Sequence, residues 1–204
     1  MSETVFLDDV YRMGNYIDTF APGHYARVLE AQHVPTGQMA AFKVMRPEHL
    51  SGEGTPAWEA RAFINEADLL ARLACNPATV RFYDCGYISA PGERPEGGEV
   101  LALGTNVAAF RENLYPCIAR NWRPYLALEL LPRHHNLFYQ MKPNVPNGRR
   151  RLPTEEALDL ALQFASFLQD AHEQRITYLD HKLEHVYWDG QTLRVIDLNS
   201  SQLL

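Results

Sequence analysis

The chain has 204 residues, 46% of them apolar and 22% charged, with a formal net charge of -6. That length holds one domain or two small lobes, and that composition argues for a folded globule rather than a disordered chain. The acidic balance gives no general basis for binding nucleic acid. The three cysteines, Cys75, Cys85 and Cys117, lack any CxxC or other metal spacing, and an odd count suits a reducing compartment better than a disulfide framework. The opening MSETVFLDDV is acidic with no basic n-region, and no run approaches the roughly 20 apolar residues of a membrane helix. A cytoplasmic protein with no membrane partner is expected.

Residues 5–45 read as strands and turns. The clearest are Tyr25 to Gln32 and Met39 to Met45, separated by Pro35-Thr36-Gly37, a hairpin signal. Residues 46–57 read as a loop. Residues 58–74 carry a helical pattern that Asn76-Pro77 ends. Thr79 to Ile88 reads as a strand and 89–98 as a polar loop. Residues 99–124 fit a helix or a hairpin equally. Tyr125 to Leu131 is a short apolar strand closed by Pro132, and 132–153 reads as irregular.

A long helix is expected from Thr154, with Thr154 as its cap and Glu155 and Glu156 suiting the dipole of its first turn. Its apolar stripe is Leu158, Ala161, Leu162, Ala165, Leu168 and Ala171. Two short strands follow, around Val186-Tyr187-Trp188 and Leu193 to Ile196, joined through Asp189-Gly190.

Strand alternation points Lys43 and Ala41 to one face and Phe42 and Val44 to the other. On helix 58–74, Ala62, Glu66, Leu69, Leu70 and Leu73 share a face by 3.6 spacing. A carboxylate on an apolar stripe costs several kcal/mol unless paired. Glu66 therefore calls for a cation, and Lys43 is the best placed. Val28 lies 15 residues before Lys43, in Ala21-Pro22-Gly23-His24-Tyr25-Ala26-Arg27-Val28, so this segment could fold over a ligand of Lys43.

Near the end, Asp180-His181-Lys182 is followed, 17 residues after Asp180, by Asp197 behind an apolar strand. Two carboxylates in that layout suit phosphoryl transfer, one orienting a hydroxyl nucleophile and the other holding the metal on the phosphates.

Taken in order, these fragments resemble the eukaryotic-type protein kinase family over about residues 16–200. Gly23 matches the middle glycine of the G-x-G-x-x-G-x-V loop, with Ala21 and Ala26 at the outer two. Ala41 and Lys43 match the V-A-I-K strand, and Glu66 its helical partner. Tyr125 to Leu131 matches the fifth strand and hinge. Tyr178-Leu179-Asp180 stands for H-R-D, and Asp197-Leu198-Asn199 for D-F-G.

The resemblance implies an α+β, two-lobe kinase-like fold. The N-lobe would span about 1–128, the hinge 129–131, and a C-lobe truncated after the D-F-G equivalent 132–204. It implies ATP between the lobes, and Mg²⁺. Gly23, Val28, Ala41, Leu128, Glu129, Leu131 and Tyr187 would surround the nucleotide, with Leu128 as gatekeeper and the backbone of Glu129 and Leu131 meeting adenine. Lys43, oriented by Glu66, would hold the α- and β-phosphates. Asp180 would position the acceptor hydroxyl, Lys182 would neutralise the γ-phosphoryl group, and Asp197 would hold the metal.

Several positions depart from the family. His185 stands at the second metal ligand, usually asparagine, and imidazole is a poor ligand for Mg²⁺. Leu179 replaces the H-R-D arginine and Asn199 the D-F-G glycine. Tyr187 brings a phenol under adenine. Two functions stay open: a phosphotransferase, of Ser/Thr type if it acts on protein because of Lys182, or a pseudokinase that binds or scaffolds without turnover. ATP is the expected small-molecule partner, with a protein substrate or partner. The helical stripe is expected to bring either self-association or a need for a partner or a longer native chain, because so little chain follows it.

Three motifs have competing readings. His181-Lys182-Leu183-Glu184-His185 spells the inverted zincin pattern H-x-x-E-H, which needs both histidines on one helix face. Arg149-Arg150-Arg151 reads as a solvated loop. His134-His135 reads as a surface pair.

Overall fold

A computed structural model describes residues 5–17, 25–50, 55–142 and 151–204. Contacts divide the chain into two units, 1–67 with 82–130, and 68–81 with 131–204. The sequence reading placed 68–81 with the first lobe. Backbone bonds explain their grouping with the second unit: Val80 donates to Val195 at 3.1 Å, and Val195 donates to Ala78 at 2.7 Å. Both units mix helix and antiparallel strand, so the α+β class holds.

The first unit is built on a six-stranded antiparallel sheet in the order β1-β2-β3-β6-β4-β5. Its strands are β1 (Tyr11–Tyr16), β2 (Ala26–His33), β3 (Met39–Met45), β4 (Phe82–Ile88), β5 (Val100–Ala102) and β6 (Arg123–Glu129). Strands β2 and β3 form the expected hairpin, and Gly37 takes φ 73° in its turn. A residue with a Cβ would pay for that angle.

One face of this sheet carries a continuous core of Leu7, Tyr11, Leu29, Phe42, Val44, Ile88, Val100 and Tyr125, among others. Phe42 stacks on Tyr125 with ring centroids 4.6 Å apart. Helix α1 (Leu7–Val10), unanticipated in a segment expected to be strands, supplies Leu7 to that core. Its chain is tied to the 89–99 loop by Leu7 N–H donating to Gly98 O at 2.9 Å. Arg123 is fully buried, and its guanidinium donates to the carbonyls of Met45, Ala90 and Gly92 at 2.7–2.9 Å. Burial pulls its pKa down to about 10. This arginine works as a backbone clamp.

Beneath the same face, Asp84 accepts hydrogen bonds from Tyr11 Oη at 2.9 Å, Tyr125 Oη at 2.6 Å and Gly104 N–H at 2.7 Å. The division between the units falls within helix α2 (Trp58–Arg72), after Ala67; the helix buries Phe63 and Ala67 in the first unit and carries Glu66. The ambiguous stretch 99–124 holds both kinds of element: β5, then α3 (Val107–Glu112) and α4 (Leu114–Ala119). The strand expected from Thr79 begins at Phe82.

The second unit centres on α6 (Thr154–Glu173). Thr154 is its first helical residue rather than its cap; Pro153 holds the cap position with no side-chain bond. The inward face keeps only the last part of the stripe read from the sequence, Ala171 with Leu168 half-buried. Phe167 and Ala171 are buried, while Leu158 and Leu162 are 59% and 60% exposed and Ala161 and Ala165 are exposed too. Aromatic residues decided the orientation, because Phe167 packs on Tyr178 at 5.7 Å between centroids. Gln163 fixes the rotation further by accepting from Leu193 N–H at 3.0 Å.

The remaining elements are α5 (Leu137–Gln140), β7 (Ile176–Thr177), β8 (Val186–Trp188), β9 (Leu193–Val195) and β10 (Gln202–Leu203). Strands β8 and β9 pair in a hairpin, and β7 pairs with β10. No helix of the described residues is long and apolar enough to cross a membrane.

Candidate functional site

The candidate residues fall into two sets, one in each unit. In the first, β3 presents Lys43 on the sheet face opposite Phe42 and Val44, as alternation requires. Its Nζ donates to Glu66 Oε2 at 2.7 Å. Lys43 is 7% exposed and Glu66 is wholly buried. Two charges removed from water this far are tolerated only as a pair, and the pair holds the ammonium in one place.

Around Lys43 the register is fixed by neighbours on both sides. Val28 on β2 lies opposite Lys43, and Leu126 on β6 lies opposite it on the other side. Ala41 is opposite Leu128, and Ala40 is opposite Glu129. Val28, Ala41, Leu128 and Glu129 therefore belong to the same three strands as the lysine. Gly23 lies outside the described residues, as do Arg149 and Arg150. Leu131 falls in the second unit.

In the second unit, a loop after β7 carries Asp180 and Lys182. A single 3₁₀ turn, Leu183–His185, leads into β8. This turn disposes of the zincin reading: His181 and His185 do not share a helix face, because there is no helix. Lys182 Nζ donates to Asp180 Oδ2 at 3.1 Å, with both side chains partly open to solvent.

His185 is 6% exposed and bridges two carboxylates. Its Nδ1 is 2.8 Å from the Asp180 carbonyl oxygen and 3.6 Å from Asp180 Oδ2. A carbonyl oxygen only accepts, so Nδ1 carries the hydrogen. The other nitrogen, Nε2, is 3.2 Å from Asp197 Oδ2. Ligand atoms from Asp180, His185 and Asp197 all lie within 4.8 Å of one another, a group able to hold a metal ion.

Local structure explains how Asp197 arrives there. It follows β9 and takes φ 61°, in the left-handed region that Asp enters more readily than most residues. Ile196 N–H donates to His185 O at 3.0 Å, so the backbones on either side of the cluster are tied together. Non-glycine residues held at such angles concentrate at functional sites.

Two further residues shape this set, and neither was singled out from the sequence as a structural support. Asn136, 1% exposed, donates to Glu184 O at 2.7 Å and bridges Tyr187 on β8. It pins the 3₁₀ turn and places the Tyr187 ring, whose pKa is raised by burial. Tyr178 is buried with no hydrogen-bond partner for its hydroxyl among the described residues. Burial raises its pKa, and the negative charges of Asp197 and Asp180 raise it further. No periodicity or motif announces either role, because each depends on a partner distant in sequence.

By donor type, the carboxylates of Asp180 and Asp197 fit Mg²⁺, which demands oxygen in near-octahedral geometry. The His185 imidazole does not. His134 and His135 are adjacent rings 4.2 Å apart and are not part of this group of ligands. No protein-family model matches the chain, and no curated protein matches it.

Proposed function

We propose that this chain is an ATP-binding, protein kinase-like phosphotransferase. The observation that carries the reading is the buried pair of Lys43 on β3 and Glu66 on α2, 2.7 Å apart, with Val28 and Leu126 opposite the lysine on the neighbouring strands. An ammonium fixed by a buried carboxylate is a point charge held ready for phosphate oxygens. A structural ion pair would serve stability poorly here, since a well-packed apolar pair often does as well.

In this reading Lys43 meets the α- and β-phosphates, with Val28, Ala41, Leu128 and Glu129 of the same unit beside the nucleotide. Asp180 orients the acceptor hydroxyl. Lys182 is bonded to Asp180 but partly exposed, so it can turn its charge towards the γ-phosphoryl group. Asp197 stands as the ligand of a divalent ion. The acceptor on protein would be Ser or Thr. The second reading, a pseudokinase that binds nucleotide or scaffolds a partner, is favoured by His185 and by the Tyr187 phenol.

The test is a thermal shift with ATP and a divalent cation, for the wild type and Lys43→Ala. Ligand that binds only the native state stabilises it by about 2.7 kcal/mol at a hundredfold excess over Kd. The wild type is expected to shift and Lys43→Ala to lose most of that shift. Equal shifts in both, or none at millimolar ATP, would discard the reading. Transfer of the γ-phosphoryl group to protein or water then separates phosphotransferase from pseudokinase.

A further inference from the structure

We infer that Asp180, His185 and Asp197 form a site for a nitrogen-accepting divalent cation, manganese(II) in preference to magnesium. The inference deepens the phosphotransferase reading by naming the metal it would use. Its geometry, however, stands on the second unit alone.

Four observations carry it. The first is the tautomer. The Nδ1 hydrogen of His185 is directed at the Asp180 carbonyl 2.8 Å away, which leaves Nε2 as the ligating nitrogen. An imidazole oriented by a backbone carbonyl through its other nitrogen is the usual arrangement of a metal-bound histidine. The second is spacing. Nε2 and Asp197 Oδ2 are 3.2 Å apart, the separation of two ligands that each stand about 2.1 Å from one ion.

The third is burial. His185 is 6% exposed and cannot swing into solvent to leave an all-oxygen site behind. The fourth is Tyr178, two residues before Asp180, whose buried hydroxyl has no hydrogen-bond partner among the described residues. A water on the cation would give the phenol a partner.

The donor set then decides the metal. Magnesium takes oxygen and sheds water reluctantly, so an imidazole in its coordination sphere is a mismatch. Imidazole suits first-row transition ions and carboxylate suits manganese(II), so a set of two carboxylates and one imidazole favours Mn²⁺ over Mg²⁺. Asp180 must release Lys182 to bind fully, and that 3.1 Å pair is exposed enough to exchange at little cost.

The experiment uses the full chain and the metals alone, without nucleotide. Mn²⁺ and Mg²⁺ are titrated calorimetrically, and the Mn²⁺ form is examined by pulsed electron paramagnetic resonance for nitrogen modulation from an imidazole ligand. One Mn²⁺ per chain is expected, bound at least about tenfold more tightly than Mg²⁺, with nitrogen modulation present. His185→Asn should abolish the modulation and shrink the preference several-fold. Asp197→Asn keeps a side chain tolerant of the left-handed backbone, so it serves as a second, foldable variant; it should weaken both metals.

Equal affinities in the wild type, absent nitrogen modulation, or a preference unchanged in His185→Asn would each overturn the inference. Manganese binding without any ATP-induced thermal shift would instead discard the phosphotransferase reading and leave the metal site standing.

Discussion

Each unit joins a lysine to a carboxylate, and the two pairs behave as opposites. Lys43 and Glu66 are 2.7 Å apart with side chains 8% and 1% exposed. Lys182 and Asp180 are 3.1 Å apart with side chains 49% and 33% exposed. The buried pair is costly to break and fixes a charge in space. The open pair costs little to break, so each partner can leave the other for a ligand. One is suited to holding, the other to reacting.

The largest expected effect comes from splitting the buried pair. Glu66→Ala removes the carboxylate bonded to a buried ammonium and should cost about 3–5 kcal/mol of stability, read by denaturant unfolding. The double change Lys43→Met with Glu66→Leu should recover most of that loss. If Glu66→Ala alone is tolerated, the pair is more hydrated than its burial indicates and the comparison fails.

A second, smaller effect is expected at Asp84, the buried carboxylate of the first unit that is bonded to two tyrosines and the Gly104 amide. Asp84→Ala strands those donors and should cost about 3 kcal/mol. Burial, the largest influence on Asp84, raises its pKa against the lowering pull of its hydrogen bonds. The folded state therefore binds this proton more tightly than the unfolded state does. The resulting stabilisation is complete below the ordinary carboxylate range and is lost as pH rises through the raised folded value. Asp84→Asn cannot titrate and can keep the Gly104 bond, so its stability should decline less than the wild type's as pH rises above about 4. Parallel curves would show that Asp84 carries no such linkage.

At the open pair, Lys182→Ala should change stability by less than about 1 kcal/mol. In the phosphotransferase reading it should nevertheless depress phosphoryl transfer far more than it depresses ATP binding. A stability loss as large as that of Glu66→Ala would erase the contrast between the two pairs.

The smallest effect is expected on α6. Leu158→Glu with Leu162→Glu alters two exposed side chains and should move stability by no more than about 0.5 kcal/mol per site. Light scattering then tests self-association: if the stripe mediates it, the doubly substituted chain stays monomeric at concentrations where the wild type does not.

Parts of both sets were legible because local rules fix them. Alternation alone placed Lys43 opposite Phe42. The helical period put Glu66 on an apolar stripe, and electrostatics then demanded a cation. Pro35-Thr36-Gly37 named its own turn. The Asp180-to-Asp197 spacing marked two carboxylates, but not that His185 would stand between them as a bridge.

What the amino-acid order determined by itself was therefore periodicity, turn chemistry and the need of a buried charge for a partner. Tertiary structure decided which partner. Asp84 finds Tyr11 and Tyr125, 73 and 41 residues away, only because β1, β4 and β6 share one sheet. Arg123 finds three carbonyls from two segments, Met45 on β3 and Ala90 and Gly92 in one loop. Helix α6 turned Phe167 inward and buried Ala171 of the stripe but left Leu158 and Leu162 of the same stripe exposed, because the aromatic contact with Tyr178 lay on a different face. Patterns within a few residues follow from backbone geometry, which is the same in every protein. Contacts between distant residues follow from packing, where shape and unmet hydrogen bonds choose among faces that the local pattern leaves equivalent.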